Sequence, residues 1–348
     1  MWYYILIRNV IPHFNIKGGI GMKLSILIPH YDEGFEIIKP LLDSIAIQQN
    51  IDFSTLEVII ADDAKGRPLS KTIMNGYHYP FAIRYTQAEI PGVSAARNAA
   101  LDAAQGDYVM FCDADDMFCN VCGLWILYRE FDNGGFDSLV SSFIEESRKS
   151  DKSVDYITHQ TDSTFVHGKV HRRQYLLDNK IRWNNNLTIH EDSFFNILCQ
   201  NLSKNVKFCP TPFYLWKWRD NSVCRHDPKY ILKTYNNMID SNDALIDEFI
   251  KRGVMDKAIV FVATLIFDAY YMMNKPEWIN QENKEYRDKT EKRFSTYYKK
   301  RKELWDSLTP QDKVIISNQI RGRVVMEGMM MEAITIDAWL KHIEEMEG

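Results

Sequence analysis

YVMFCDADDMF, residues Tyr108–Phe118, is the stretch from which the fold of this 348-residue chain is read. An apolar run stops at Asp113, and Asp115 and Asp116 follow at once. A buried strand that delivers acids to its C-terminal end can present a hard cation to a ligand. Mg²⁺ or Mn²⁺ takes oxygen donors, and a bound diphosphate would complete the shell. An Asp-rich turn after an edge strand would look the same in isolation. The flanking segments have to decide.

Upstream, Lys23–Pro29 (KLSILIP) is a short apolar run ended by proline, as a buried parallel strand should be. Glu33–Gln49 carries Phe35, Ile38, Leu41, Leu42 and Ile45 at helical spacing. Leu56–Ala61 is a second strand that again ends in acids, Asp62 and Asp63. Phe81–Tyr85 is a weaker third strand, Gly92–Ala104 a small-residue helix, and Tyr108–Cys112 the fourth strand. Alternation of this kind means a parallel sheet with helices on both faces, whose ligands sit beyond the carboxyl ends of the strands. Asp32, Asp62, Asp63, Asp113 and Asp115 all fall at such ends. Neither a GxGxxG after the first strand nor a GxxxxGKS/T is present, which speaks against an ordinary dinucleotide fold and a P-loop.

Downstream the pattern is mixed. Leu124–Phe131 reads as a helix, Ser138–Ile144 as a strand, and Gly168–Leu177 as a glycine turn running into a helix. His190–Gln200 reads as a helix with Glu191 and Asp192 in its first turn, where the helix dipole favours acids in any case. Phe208–Trp218 alternates like a strand. From Pro228 the composition shifts to long amphipathic segments: Tyr230–Arg252, Met255–Met273, Asn283–Leu304 and Gln311–Glu347. The expected division is 1–22 as an extension or leader, 23–226 as the α/β domain, and 227–348 as a helical region.

Hydrophobic residues at 45% and charged residues at 26% allow a sizeable core and exclude wholesale disorder. A net charge of −5 speaks against a chain that is basic all over. Of six cysteines only Cys119 and Cys122 form a CxxC, with no second pair at zinc-site spacing, so reduced thiols of a cytosolic protein are expected. Met1–Ile16 is too short and too interrupted for a membrane span, and it lacks the marks of a signal peptide. A docking strand, a peripheral anchor at the inner membrane face, or leader sequence all remain open for it.

With these segments in view, the chain resembles the inverting nucleotide-sugar glycosyltransferases of family 2, which have the GT-A fold. LSILIPHYDE (24–33), LEVIIADD (56–63), GVSAARNAAL with GDYVMFCDADD (92–101, 106–116) and IHEDSFF (189–195) carry the likeness in order. VHGKVHRR (166–173) and YLWKWRDNSV (214–223) resemble the family's middle and closing-loop segments. The resemblance implies an α/β, Rossmann-like, mostly parallel sheet flanked by helices, with the C-terminal helices added to it.

It also implies roles. Pro29, Tyr31 and Glu33 line the nucleotide slot, and Asp62 or Asp63 accepts a hydrogen bond from the base. Arg97 stands beside the donor, with Gly92 and Ser94 serving the turn and helix cap. Asp115 is the direct ligand of Mn²⁺ or Mg²⁺; Asp113 holds ribose or a metal-bound water and joins the metal set with His226, while Asp116 supports. Asp192 is the general base, and Glu191 orients the acceptor or supports Asp192. Arg219 and Ser222 belong to a loop that closes over the diphosphate, Lys169 meets phosphate or acceptor, and Trp216 and Trp218 stack on sugar or pack.

The donor implied is a nucleoside-diphosphate sugar, UDP first, and the acceptor a saccharide or lipid-linked glycan of a bacterial surface. Lys284–Lys302 adds a second reading, because its Lys and Arg residues alternate with Tyr286, Phe294, Tyr297 and Tyr298. Such a pattern could follow the backbone of a nucleic acid, as in a transferase acting on hydroxymethylated DNA, or touch an anionic membrane. A solvated helix face is the plain alternative. A non-catalytic sugar-nucleotide binder is the third class, and Met326, Met329, Met330 and Met331 could serve either a homo-oligomer or the core.

Overall fold

The computed structural model describes residues 21–69, 76–149, 151–219, 229–326 and 335–346. Strand β1 (Leu24–His30) lies at the centre of a parallel block, between β2 (Leu56–Asp62) and β4 (Tyr108–Phe111), with β3 (Ala82–Gln87) beyond β2. Its residues alternate between two buried clusters, as a strand covered on both faces must. Leu24, Ile26 and Ile28 meet helix α1 (Phe35–Ala46), whereas Leu27 faces helix α2 (Val93–Ala103). Alanines on α2 let it lie close to the sheet, which brings Arg97 over the end of β4.

Beyond β4 the sheet changes character. The short strand β5 (Met117–Phe118) and helix α3 (Gly123–Asp132) lead to β6 (Ser138–Arg148), which pairs with β7 (Val154–His159) and β8 (Lys169–Arg172) in antiparallel fashion. Strand β8 bridges β6 to β4, and β9 (Val206–Trp216) runs parallel to β6 and carries β5 on its far edge. The sheet order is β3-β2-β1-β4-β8-β6-β9-β5, with β7 off β6. Two differences from the sequence reading have simple causes. β7 is mostly exposed, so its alternation is not apolar enough to announce a strand. Residues 169–172, expected as helix, form β8 because Gly168 turns at φ +67° and feeds them into the gap between β4 and β6. Helix α4 (Arg173–Asp178) follows immediately.

The C-terminal helices share one buried cluster with α2 and with helix α5 (Glu191–Leu202). They are α6 (Tyr230–Lys251), α7 (Met255–Met273), the short α8 (Pro276–Ile279), α9 (Lys284–Asp306), α10 (Pro310–Met326) and α11 (Ile336–Glu345). The last two replace the single long helix expected over 311–347. Thr335 caps α11 by accepting the Ala338 N–H. The N-terminal extension and the Met329–Met331 run lie outside the described residues.

Candidate active site

The ends of β1, β2 and β4 open on a cleft of about 600 Å³ lined by Tyr31, Glu33, Asp63, Arg97, Asp113 and Asp115, among others. Pro29 lines it as well, and Tyr31 is 54% exposed. The two acids after β2 part company. Asp62 turns inward, where it meets the His30 ring at 2.8 Å and accepts the Leu69 N–H. Asp63 faces the cleft and accepts the N–H groups of Lys65 and Gly92. The Gly92 contact matters because Gly92 caps α2 at φ +120° without a side chain to do so. Ser94 does not cap; its buried hydroxyl has no hydrogen-bond partner among the described residues. His30, not singled out in the sequence, uses both ring nitrogens, on Asp62 and on the Glu33 carbonyl. Burial works against its charge, yet these contacts raise its pKa above the ordinary value.

The loop after β4 holds three acids in different circumstances. Arg97 donates to Asp113 at 2.9 Å; burial opposes the charge of Asp113, but the guanidinium and His167 hold its pKa below the usual carboxylate range. Asp115 is paired with Arg219 at 3.1 Å, and burial followed by the nearby charge of Asp113 pushes it up. Arg219 also reaches Glu33 at 3.7 Å. Asp116 is fully buried and accepts the Tyr214 hydroxyl at 2.6 Å and the Lys217 N–H at 3.0 Å. Burial and its acidic neighbours push it well up. Tyr214 in turn accepts the Asp113 N–H, so β9 anchors the loop.

Asp113, Asp116 and His167 each bring one ligand atom within 4.8 Å of the others. This oxygen-rich set fits a hard divalent ion such as Mn²⁺ or Mg²⁺. It differs from the expected set: Asp116 and His167 stand next to Asp113, while the Asp115 carboxylate is held by Arg219. His167 stacks against Trp216, with ring centres 4.9 Å apart, so that tryptophan packs. The approach of His167, which lies in VHGKVHRR, is visible only in three dimensions. Ser222 and His226 lie outside the described residues.

The acid pair on α5 adjoins the cleft through Arg97 without lining it. His190 caps this helix in the left-handed region at φ 62°, an uncommon backbone for a residue with a Cβ, and the Ser241 hydroxyl of α6 holds its carbonyl. Glu191 accepts from Arg97 at 3.0 Å. Asp192 is half-buried, accepts the Ser193 N–H, and is pushed up to about 7 by burial and then by the charge of Glu191. Lys169, only 1% exposed, donates to the His167 carbonyl at 3.4 Å and stands 3.9 Å from Asp162. Burial lowers its pKa to about 8, against the pull of Asp162 and Asp192.

The basic stretch 284–302 is far better compensated than its sequence suggests. Phe294, Tyr297 and Tyr298 are buried in the core and cannot stack on bases. Arg293, Lys300 and Arg301 meet aspartates of α6, and Lys302 meets Glu344. Of the four interleaved aromatics, only Tyr286 is left half-buried. Cys119 and Cys122 are free thiols, as are Cys112, Cys199 and Cys209. No helix among the described residues is long and apolar enough to cross a membrane.

Comparisons with known proteins bear on the family and the fold. The poly(ribitol-phosphate) beta-glucosyltransferase of Bacillus spizizenii is 26% identical over 196 residues, which cover 53% of this chain and 30% of that protein. The poly(ribitol-phosphate) beta-N-acetylglucosaminyltransferase TarS of Staphylococcus aureus is 32% identical over 97 residues, 27% of this chain and 16% of TarS. The chain thus spans less than a third of the length of either relative. The crystal structure of S. aureus TarS 1-349 in complex with UDP matches with a TM-score of 0.60 at 16% identity, covering 91% of this chain and 95% of that one. The likeness shows a shared GT-A fold. The model described as glycosyl transferase family 2 matches residues 25–197, and the chain belongs to that family.

Proposed function

We propose that the chain transfers a sugar from a nucleoside-diphosphate sugar, UDP-linked, to an acceptor hydroxyl with inversion. The carrying observation is the pair of contacts made by Arg97, which ties the Asp113 end of β4, in the cleft, to the Glu191–Asp192 turn beside it. The Tyr31 ring and the Asp63 carboxylate receive the base. Asp113 and Asp115, with Asp116 and His167 beside them and His226 as a further candidate, would hold a divalent cation. A bound Mn²⁺ or Mg²⁺ supplies positive charge to the departing diphosphate. Arg219, at the mouth of the cleft, exchanges Asp115 for phosphate oxygen when the donor enters.

Asp192 takes the proton of the acceptor hydroxyl as its oxygen attacks the anomeric carbon, and a single displacement inverts that centre. A carboxylate poised near neutrality is a competent base for this step. Glu191 orients the turn through Arg97. The named substrates of the two relatives support a polymer or lipid-linked glycan of a bacterial surface as acceptor, with the protein acting on the cytoplasmic side or at the inner membrane face.

The test is UDP release from UDP-glucose and UDP-N-acetylglucosamine, with Mn²⁺, Mg²⁺ or chelator, and with or without poly(ribitol phosphate). Wild type and Asp115→Asn are run side by side. Cation-dependent release from one donor, lost in the variant, is expected. Absence of both release and cation-dependent UDP binding would overturn the reading.

A further inference from the structure

Arg97 is 3% exposed, and its guanidinium carbon Cζ lies over the Trp183 ring, 4.3 Å from its centre. Trp183 stacks on Phe195 of α5 at 4.2 Å, nearly parallel. Its backbone is pinned at both ends by the side chain of Asn98, which accepts the Trp183 N–H and donates to its carbonyl. Consecutive residues of α2 therefore do related work: Asn98 fixes the platform on which Arg97 lies. From that platform one terminal nitrogen reaches Asp113 and the other reaches Glu191, at 2.9 and 3.0 Å. Nε finds no partner among the described residues. Among the described residues, the guanidinium hydrogen-bonds to these two acids alone.

We propose that Arg97 is a positioning residue that couples the nucleotide side of the cleft, through Asp113, to the acceptor side, through Glu191. The inference rests on the donor and acceptor sides proposed above. A guanidinium is a rigid planar fork, so its two carboxylates are held at one separation. Whatever engages the Asp113 carboxylate, whether a ribose hydroxyl or a cation, weakens the pull of Arg97 toward that side. The fork then holds Glu191 more firmly and with it the turn that carries Asp192. Linkage makes the effect reciprocal: a change at Glu191 must alter binding at Asp113. A lysine in place of Arg97 keeps the charge but offers a point instead of a fork, and should lose the coupling.

The experiment is calorimetry with UDP and Mn²⁺ on wild type, Glu191→Gln, Arg97→Lys and the double variant, which form one cycle. Glu191 does not line the cleft, so its substitution reaches UDP only indirectly. Glu191→Gln should weaken UDP binding about fivefold or more in the wild-type background, and less than about twofold in Arg97→Lys. Equal factors in the two backgrounds would overturn the coupling and leave the donor reading standing. Should Arg97→Lys not fold, Arg97→Gln, which also lacks the fork, serves as the second background, where the factor should shrink in the same way. Wild type that binds no UDP in the presence of Mn²⁺ would overturn the donor reading and this inference together.

Discussion

Two acid clusters in this molecule are alike in composition and opposite in circumstance. On α6, Asp240, Asp243 and Asp247 are met from α9 by Arg293, Lys300 and Arg301. Arg301 donates to Asp243 at 2.8 Å and to Asp247 at 2.7 Å, and Lys300 donates to both as well. Burial opposes the charge of Asp247, yet the bonds from Lys300 and Arg301 hold its pKa below the ordinary range. After β4, Asp113, Asp115 and Asp116 are crowded into four residues and find Arg97 and Arg219 for countercharge. Two of these three acids are pushed up. Acids that the chain matches with its own cations act as adhesive between helices. Acids left short of positive charge, at the end of a strand and beside a cleft, are where a foreign cation and its ligand fit.

The largest effect that tests this contrast belongs to the acids around Arg97. Asp192→Asn should lower turnover about 10²- to 10⁴-fold while UDP affinity, read by calorimetry, stays within about threefold. Unchanged turnover would remove Asp192 from the chemistry. The matching change in the helical region should act on stability alone. Arg301→Met strands Asp243 at a buried position and should cost about 3 kcal/mol in urea unfolding, toward the lower end for a broken buried pair because Lys300 and Arg293 remain close. UDP binding by the folded variant should be unchanged. Lost UDP binding in folded Arg301→Met would break the comparison.

Much of this was legible in the chain, and the rest was hidden for physical reasons. Strands β1, β2 and β4 announce themselves because burial on both faces demands unbroken apolar runs, and the acids at their ends follow from the same pattern. Helices α6, α7 and α9 carry enough turns for the 3.6 period to show. Lys169 and His171 sit in β8 with charged or polar side chains that only tertiary packing buries, so four residues of strand read as the start of a helix. Trp183, Asn98 and His167 reach the site from loops or through second contacts, and no local period can reveal them. The end of the chain was readable after all. Thr335 before an amphipathic run is a cap signal, and it divides what otherwise resembles one helix.

The smallest effect separates Asp192 from the helix-capping role that its position in a first turn would also explain. A carboxyl held near 7 in the folded state and at the ordinary value when unfolded disfavours folding once ionised. Its favourable contribution is therefore present below the unfolded value and lost as pH rises through about 7. Asp247, whose pKa is lowered, has the opposite sign: its contribution is present above the unfolded value and lost as pH falls through the folded one. Asp192→Asn in chelator should accordingly raise the melting temperature at pH 8 by a few degrees, about 1 kcal/mol, and by less at pH 5. A cap behaves otherwise, since replacing an anion at a helix N-terminus lowers stability at pH 8. A fall at pH 8 would move Asp192 into the company of the aspartates on α6, as a residue that holds the fold together. A rise together with lost turnover would mark it as a charge the fold tolerates for its chemistry.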